Sequence, residues 1–371
     1  MGGKKNCLRP LACCLLFLLA IVPAVGQVSA HDESVLLIVT DGLRWQEVFH
    51  GADAALLDKE HGHVDDPQQI RREFWRADEE QRRQALMPFL WKVIAKQGQL
   101  FGDVDEGSTA RVTNGLKFSY PGYNEMLTGK ADARIDSNDF GPNPNLTVFE
   151  WLNRQPELSG KVVAFGTWDA FSRIFNRARC GFPVQAGWDL PVAEPGSDSD
   201  PELMRLYQTT TRTWNDLVYD SFLQSSLIDY LKKHDPRAMF VGYGETDEYA
   251  HEGRYDQVLW SARRVDAFVE ELWNTLQSIP AYRDKTSIVL TTDHGRGSGL
   301  TEWRTHGRNV DGAEDIWIAV LGPHTAPLGV GGKHISVTQS QIASTVAALI
   351  GYDFSKSGTN PAPAIIQATQ K

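Results

Sequence analysis

Five apolar runs separated by stretches of helical periodicity constrain this chain more than any other feature, because strand and helix in alternation must stack as a sheet with helices packed on it. The runs are Val35 to Thr40, Lys161 to Gly166, Ala238 to Tyr243, Ser287 to Thr292 and Ile316 to Gly322. They are apolar along their length rather than on alternate residues, as strands buried on both faces are. Helical patterns lie between and after them at Leu86 to Lys96, Asp216 to Lys233, Tyr255 to Ser278 and Val337 to Ile350. The expected fold is α/β, with a mainly parallel central sheet and helices on both faces. The first run ends in a single acid, Asp41, followed by Gly42. A carboxylate at a strand's carboxyl end lies on the edge where open α/β sheets place their chemistry.

Four later stretches supply the groups that such an edge would use. They are Ser119-Tyr120-Pro121 ahead of Thr128-Gly129, Asp247 with His251, Asp293-His294-Gly295, and Thr305-His306-Gly307. With Asp41 they make three Asp, three His and one hydroxyl, a two-metal ligand set with a nucleophile. Asp293 and His294 follow the fourth run directly, so both emerge beside Asp41. Asp247 and His251 stand four apart, which one helical turn brings to a single face. Each element has a plainer reading on its own. Asp-His-Gly can close a turn, the acidic segment with Glu245, Glu248 and Glu252 can start a solvated helix, and Ser119 before Tyr-Pro can be a turn residue.

In this order the motifs resemble those of the alkaline phosphatase superfamily, most closely its nucleotide pyrophosphatase/phosphodiesterase-like branch, from about residue 35 to about residue 350. The resemblance implies an alkaline-phosphatase-like three-layer sandwich and two divalent metal ions. Asp247, His251 and His306 would hold one ion. Asp41, Asp293 and His294, with Ser119, would hold the other. Imidazole-rich sites favour zinc over calcium or magnesium. His334 competes with His306, which is preferred because the family's His-Gly element precedes a strand ending in Gly-Pro, here Gly322-Pro323. Ser119 takes the nucleophile's place with Ser for Thr, giving a phosphoserine intermediate. Asn138 resembles the amide that holds a phosphoryl oxygen, with Asn143 and Asn145 as rivals. Two departures matter. Gly122-Tyr123 replaces the Asn-His that often follows the Pro in phosphodiesterases, and Tyr123 stands where a sulfatase has Arg.

The expected reaction is hydrolysis of a small-molecule phosphate ester, with phosphomonoesters favoured, phosphodiesters or pyrophosphates as the alternative, and phosphomutase and sulfatase as lesser rivals. The monoester preference rests on Arg173, which leaves the second run in Thr167 to Arg173 and can clamp the extra phosphate charge. A salt bridge from Arg173 to Asp169 competes with that role, and Trp168 and Phe171 can instead line a diester's second-group pocket.

Residues 1–30 combine Lys4, Lys5 and Arg9, an apolar run from Leu11 to Val25, and Ser29-Ala30, the pattern of a secretory signal peptide, with an uncleaved anchor as the alternative. The expected location is secreted or periplasmic, with residues 31–371 as one catalytic domain and no membrane span after cleavage. Three of four cysteines lie in the leader, leaving Cys180 as a buried apolar side chain. Removing three positive charges takes the net charge from -10 to -13, and no basic stripe is present to neutralise phosphates, which argues against a stable nucleic-acid partner. His50, His61, His63 and His234 read as surface residues. The polar segments 51–69, 136–145 and 193–201 read as insertions over the sheet.

Overall fold

The first apolar run forms β1 (Ser34–Thr40), buried at every position, in a computed structural model that describes residues 1–3, 32–191, 200–331 and 335–370. Residues 4–30 of the leader and His334 lie outside those residues, as does most of segment 193–201. The remaining strands are β2 (Gln99–Phe101), β3 (Thr109–Arg111), β4 (Val162–Gly166), β5 (Val184–Ala186), β6 (Ala238–Tyr243), β7 (Thr286–Thr291), β8 (Asp315–Ile316), β9 (Ile318–Leu321), β10 (Gly329–Val330) and β11 (Ser336–Thr338). Eight of them make one sheet in the order β10-β2-β9-β7-β1-β6-β4-β5. β1 lies in parallel between β6 and β7, with Val39 opposite Gly242 and Thr291, so the three strands end level. β9 alone among the described strands of this sheet runs antiparallel to its neighbours. A second, three-stranded sheet has the order β11-β3-β8.

Helices cover both faces, and the side chains of β1 show how. Leu36 and Ile38 enter a core with Leu227, Leu259 and Val265 from the helices Asp220–Lys233 and Tyr255–Ser278. Val35, Leu37 and Val39 enter the opposite core with Tyr123, Met126 and Val346 from the helices Ser119–Thr128 and Gln341–Leu349. A period of two along a strand with apolar residues at every position yields two cores and hence three layers. This is the expected sandwich.

Four elements differ from expectation, one being the helix expected over Val337 to Ile350, which begins only at Gln341 because Val337 and Thr338 belong to β11. The helix expected over Leu86 to Lys96 runs instead over 88–97, and Leu86 closes a separate helix, Glu79–Leu86. Met87, held out of the helical region ahead of Pro88, separates it from a π-wound turn at Leu90–Ile94. The run Ile316 to Gly322 divides between the two sheets. β8 pairs with β3 and β9 with β2 and β7, and Trp317 between them donates its indole N–H to the Leu43 carbonyl at 3.0 Å. Finally, 216–219 is not helical, Leu217 forming an isolated bridge with Trp168, and the helix begins only at Asp220. Val218 N–H bonds the Thr167 carbonyl at 2.9 Å, which ties this stretch to the loop after β4.

Candidate active site

Asp41, Asp247, Asp293 and His294 follow the level ends of β1, β6 and β7, so the sheet itself brings them together. Gly42 adopts φ +60°, and a Cβ there would lie 2.5 Å from Asp247 Oδ1, so only glycine lets this loop pass so close. Its N–H donates to Asp293 Oδ1 at 3.1 Å. Asp247 and His251 occupy the helix Glu245–His251 one turn apart, as the spacing implies.

Two sets of ligand atoms converge here. Asp41, Asp293 and His294 form one, and Asp247, His294 and His306 the other, with the atoms of each set within 4.8 Å of one another. His294 belongs to both. His251 was expected in the second set and approaches it from the solvent side, its Nε2 3.1 Å from Asp247 Oδ2 and 3.0 Å from His306 Nε2. The tautomers suit ligation. His294 Nδ1 lies 3.0 Å from the Gly295 carbonyl and His306 Nδ1 lies 3.1 Å from the Lys117 carbonyl, so each ring donates from Nδ1 and keeps a lone pair on Nε2. Burial, and then the neighbouring His294, push His306 down to about 2, which keeps it neutral. Burial raises the Asp41 and Asp293 carboxyls well above the carboxylate range, each reinforced by a neighbouring acid. Asp247 is also buried, but the Arg296 guanidinium bonded to it holds it well below that range.

The donor set fits metal ions on a further ground. Asp41 Oδ1 and Asp293 Oδ2 are buried without a hydrogen-bond partner, and they lie 3.4 and 3.6 Å from His294 Nε2. Buried carboxylate oxygens are rarely left so, and a cation between them satisfies both.

Ser119 is the first residue of the helix Ser119–Thr128, with its Oγ 3.4 Å from His294 Nε2. Gly122, one turn on, packs against β7's end, where a Cβ would meet the Asp293 carbonyl oxygen at 2.4 Å. Asn138 accepts from the Tyr120 N–H through Oδ1 at 2.9 Å, which leaves its NH2 to donate elsewhere. Asn143 and Asn145 are occupied around Asn124, each donating to its Oδ1, so neither competes for the site. Asp41, Ser119, Asn138, Asp247, His251 and His306 all line one cavity of about 280 Å³. A larger cavity of about 570 Å³ includes Thr286 and Leu321 at the opposite edge of the sheet and shares none of these residues.

Arg173 has no place in the wall of the smaller cavity. Its guanidinium donates to the Asn138 backbone carbonyl at 3.4 Å and lies 3.9 Å from Asp169 Oδ1, one helical turn away. The short helix Phe171–Ile174 therefore turns the expected phosphate clamp toward the loop behind Asn138. His50, His61 and His63 stay outside the ligand sets, the first two paired with Glu79 and Asp58. His234, also outside the sets, packs at 4.2 Å on Tyr230. Cys180 is buried and free.

Residues 59–311, well over half of the chain, match the family described as type I phosphodiesterase / nucleotide pyrophosphatase. The chain belongs to that family. This phosphodiesterase-family chain is thus a hydrolase of the alkaline phosphatase superfamily, whose members use divalent metals. No curated protein matches it. Among solved structures it is similar to a 2-O GAG sulfatase at 14% identity and TM-score 0.55, covering 91% of this chain and 75% of that one. It is similar to a phosphonate monoester hydrolase from Silicibacter pomeroyi at 14% identity and TM-score 0.51, covering 90% and 78%. A third likeness is to a protein in the alkaline phosphatase superfamily from Vibrio parahaemolyticus, at 13% identity and TM-score 0.50, covering 86% and 67%. At these identities the likeness shows a shared fold.

Three supporting residues escaped sequence reasoning. Arg296 donates to the Gly42 carbonyl at 3.2 Å as well as to Asp247. Tyr123 OH donates to Asp41 Oδ2 at 3.0 Å, and Gln339 donates to the Asp293 carbonyl at 2.6 Å. The available signal for Arg296 was its position two residues after His294.

Proposed function

We propose that this chain is an exported phosphoric-ester hydrolase that uses two divalent ions, with Ser119 as nucleophile, and that it acts on phosphodiesters or pyrophosphates rather than monoesters. The reading is carried by one juxtaposition: the Ser119 hydroxyl stands 3.4 Å from the His294 nitrogen that both ligand sets share. Divalent cations bound there, zinc being the best match to the imidazoles, would supply Lewis-acid stabilisation of phosphoryl charge and lower the pKa of the serine hydroxyl.

The chain's own residues do the rest. Ser119 Oγ attacks phosphorus in line as the bond to the leaving oxygen breaks, and water then releases the phosphoryl group and restores the hydroxyl. The first turn of the helix Ser119–Thr128 fixes the position of Ser119, its Tyr120 N–H committed to Asn138 and its Gly122 N–H to the Phe118 carbonyl. Asn138, held by the Tyr120 N–H, offers its NH2 to a phosphoryl oxygen. Tyr123 and Arg296 fix Asp41 and Asp247 in place.

Charge supports the diester reading over the monoester one. No Lys or Arg lines the cavity among the described residues, whereas Asp139, Asp216 and Glu248 do. A terminal phosphate carries nearly two charges at neutral pH and wants a further cation, which Arg173 does not supply from behind Asn138. A diester carries one charge and fits better. The pattern over residues 1–30 supports export to the periplasm or beyond, with 31–371 as one catalytic domain. The metal-loaded protein should cleave bis(p-nitrophenyl) phosphate with higher kcat/KM than p-nitrophenyl phosphate or p-nitrophenyl sulfate. Preference for the monoester overturns the diester reading, and failure to cleave either phosphate overturns the hydrolase mechanism.

A further inference from the structure

We infer that Asp220 is a positioning residue for the ligand set of Asp247, His294 and His306, acting through a reciprocal cap with Glu245 that sets the helix Glu245–His251 against the cavity. This rests on the two-ion reading above and names what holds one of its sites in register. Asp220 and Glu245 are each the first residue of a helix, Asp220–Lys233 and Glu245–His251, and neither helix is capped by the side chain of its own N-cap residue, Tyr219 or Gly244. Each acid instead serves the other's helix. Asp220 Oδ1 accepts from the Gly244 and Glu245 N–H groups at 3.0 and 3.4 Å, and Glu245 Oε1 accepts from the Asp220 N–H at 3.1 Å. N–H groups left over at both helix starts are thereby satisfied across the fold rather than along the chain.

The pair is inside the protein, with Asp220 fully buried and Glu245 only 2% exposed. Glu245 Oε2 is in turn bonded to Arg264 and accepts from the Ser261 hydroxyl at 3.4 Å, both on the helix Tyr255–Ser278, so a third helix anchors the cap. Burial, and then Glu245, raise the Asp220 carboxyl well above the ordinary carboxylate range, so it serves as a neutral acceptor.

What the cap joins gives it a role beyond stability. Asp216 and Leu217 lie just before Asp220, while Gly244, Asp247, Glu248 and His251 lie beside or after Glu245, and these six are half of the residues lining the cavity that holds Ser119. A helix of seven residues does not hold itself in place. Thr246, whose hydroxyl donates to the Asp41 carbonyl at 2.5 Å, and Arg296, bonded to Asp247, hold it toward β1. The Asp220 cap holds its start toward the 216–219 wall, and so fixes where Asp247 stands relative to His294 and His306.

The test loads full-length wild type, Asp220→Ala, Asp220→Asn and Leu276→Ala with zinc, then measures zinc per chain against rising chelator, kcat and KM on bis(p-nitrophenyl) phosphate, and the melting temperature. Asp220→Ala should release one of its two ions at about 10–100-fold lower chelator than the wild type while holding the other at the wild-type level, and kcat should fall with that ion. Asp220→Asn keeps the Oδ1 acceptor and should restore both. Leu276→Ala, a core truncation near the far end of Tyr255–Ser278, should lower the melting temperature and leave both ions in place. Asp220→Leu, close to Asp in shape but without an acceptor, replaces Asp220→Ala if that variant does not fold. Zinc release unchanged in Asp220→Ala, matched by Asp220→Asn, or weakened equally by Leu276→Ala overturns the positioning role alone. A wild type that binds no zinc overturns the two-ion reading, and this inference falls with it.

Discussion

Ser119 has a buried hydroxyl, a helix N-terminus behind it and a ring nitrogen in front of it, and none of these is a packing partner that needs the oxygen. Replacing it with Ala should therefore leave the fold and the metal content intact while removing the covalent phosphoryl-enzyme. Turnover should fall by about a thousandfold or more, equivalent to ~4 kcal/mol of transition-state stabilisation. Rapid quench with mass spectrometry checks this, and phosphate found on Thr128 or another residue would refute the assignment. Asp41, Asp293 and His294 were legible in the sequence because a polar residue directly after a buried strand can only emerge at the strand's end. Arg296 was not, since nothing in Asp-His-Gly-Arg says that the fourth side chain folds back onto Gly42 and Asp247. The orientation of Arg173 was out of reach for a related reason. Sequence places it at the correct edge, but the competition between a ligand and the Asn138 carbonyl is settled by where a four-residue helix points.

Among the elements, the helix Ser119–Thr128 is held against β7 by an absent side chain. A Gly122→Ala substitution puts a methyl group into the Asp293 carbonyl oxygen, and overpacking of this kind costs about 1–3 kcal/mol. Because the displaced helix carries Ser119, kcat should fall more than the melting temperature suggests, and kinetics with thermal denaturation on one preparation separate the two effects. The long helix Tyr255–Ser278 holds the π-wound turn through Asp266, which accepts from the Phe89 and Leu90 N–H groups at 2.8 Å each. Burial pushes this carboxyl up to about 7, against the downward pull of those two bonds. Its native pKa thus exceeds its unfolded value, so its contribution is fully present below the unfolded pKa and is lost as pH rises through about 7. Wild type should lose stability relative to Asp266→Asn between pH 5 and about 8, as urea melts at each pH will show. The helix Tyr255–Ser278 itself was read with its observed limits, since its long amphipathic repeat meets no proline or glycine. The shorter elements were not. β2 and β10 have three and two residues, too few for a period to register, and Ile316 to Gly322 looks continuous in sequence because changing sheets at Trp317 leaves it apolar throughout.

For the molecule as a whole, three buried carboxylates meet at one sheet edge with Arg296 bonded to one of them, and metal ions are the natural complement of the other two. Chelation should then lower the melting temperature as well as abolish activity. Each site kept at about a thousandfold above its Kd contributes ~4 kcal/mol to the folded state. Elemental analysis should find two ions per chain, and a melting temperature indifferent to chelator would contradict the assignment. The sheet's strand order also governs how the chain reaches this state. β1 is first in sequence among the described strands, yet its two neighbours, β6 and β7, begin at Ala238 and Thr286. A ribosome must therefore deliver most of the polypeptide before the central strand acquires a partner, and the high contact order of such a sheet makes its assembly slow. Until then Val35 to Val39, buried on both faces in the folded protein, have no strand to pair with and present an aggregation-prone apolar segment.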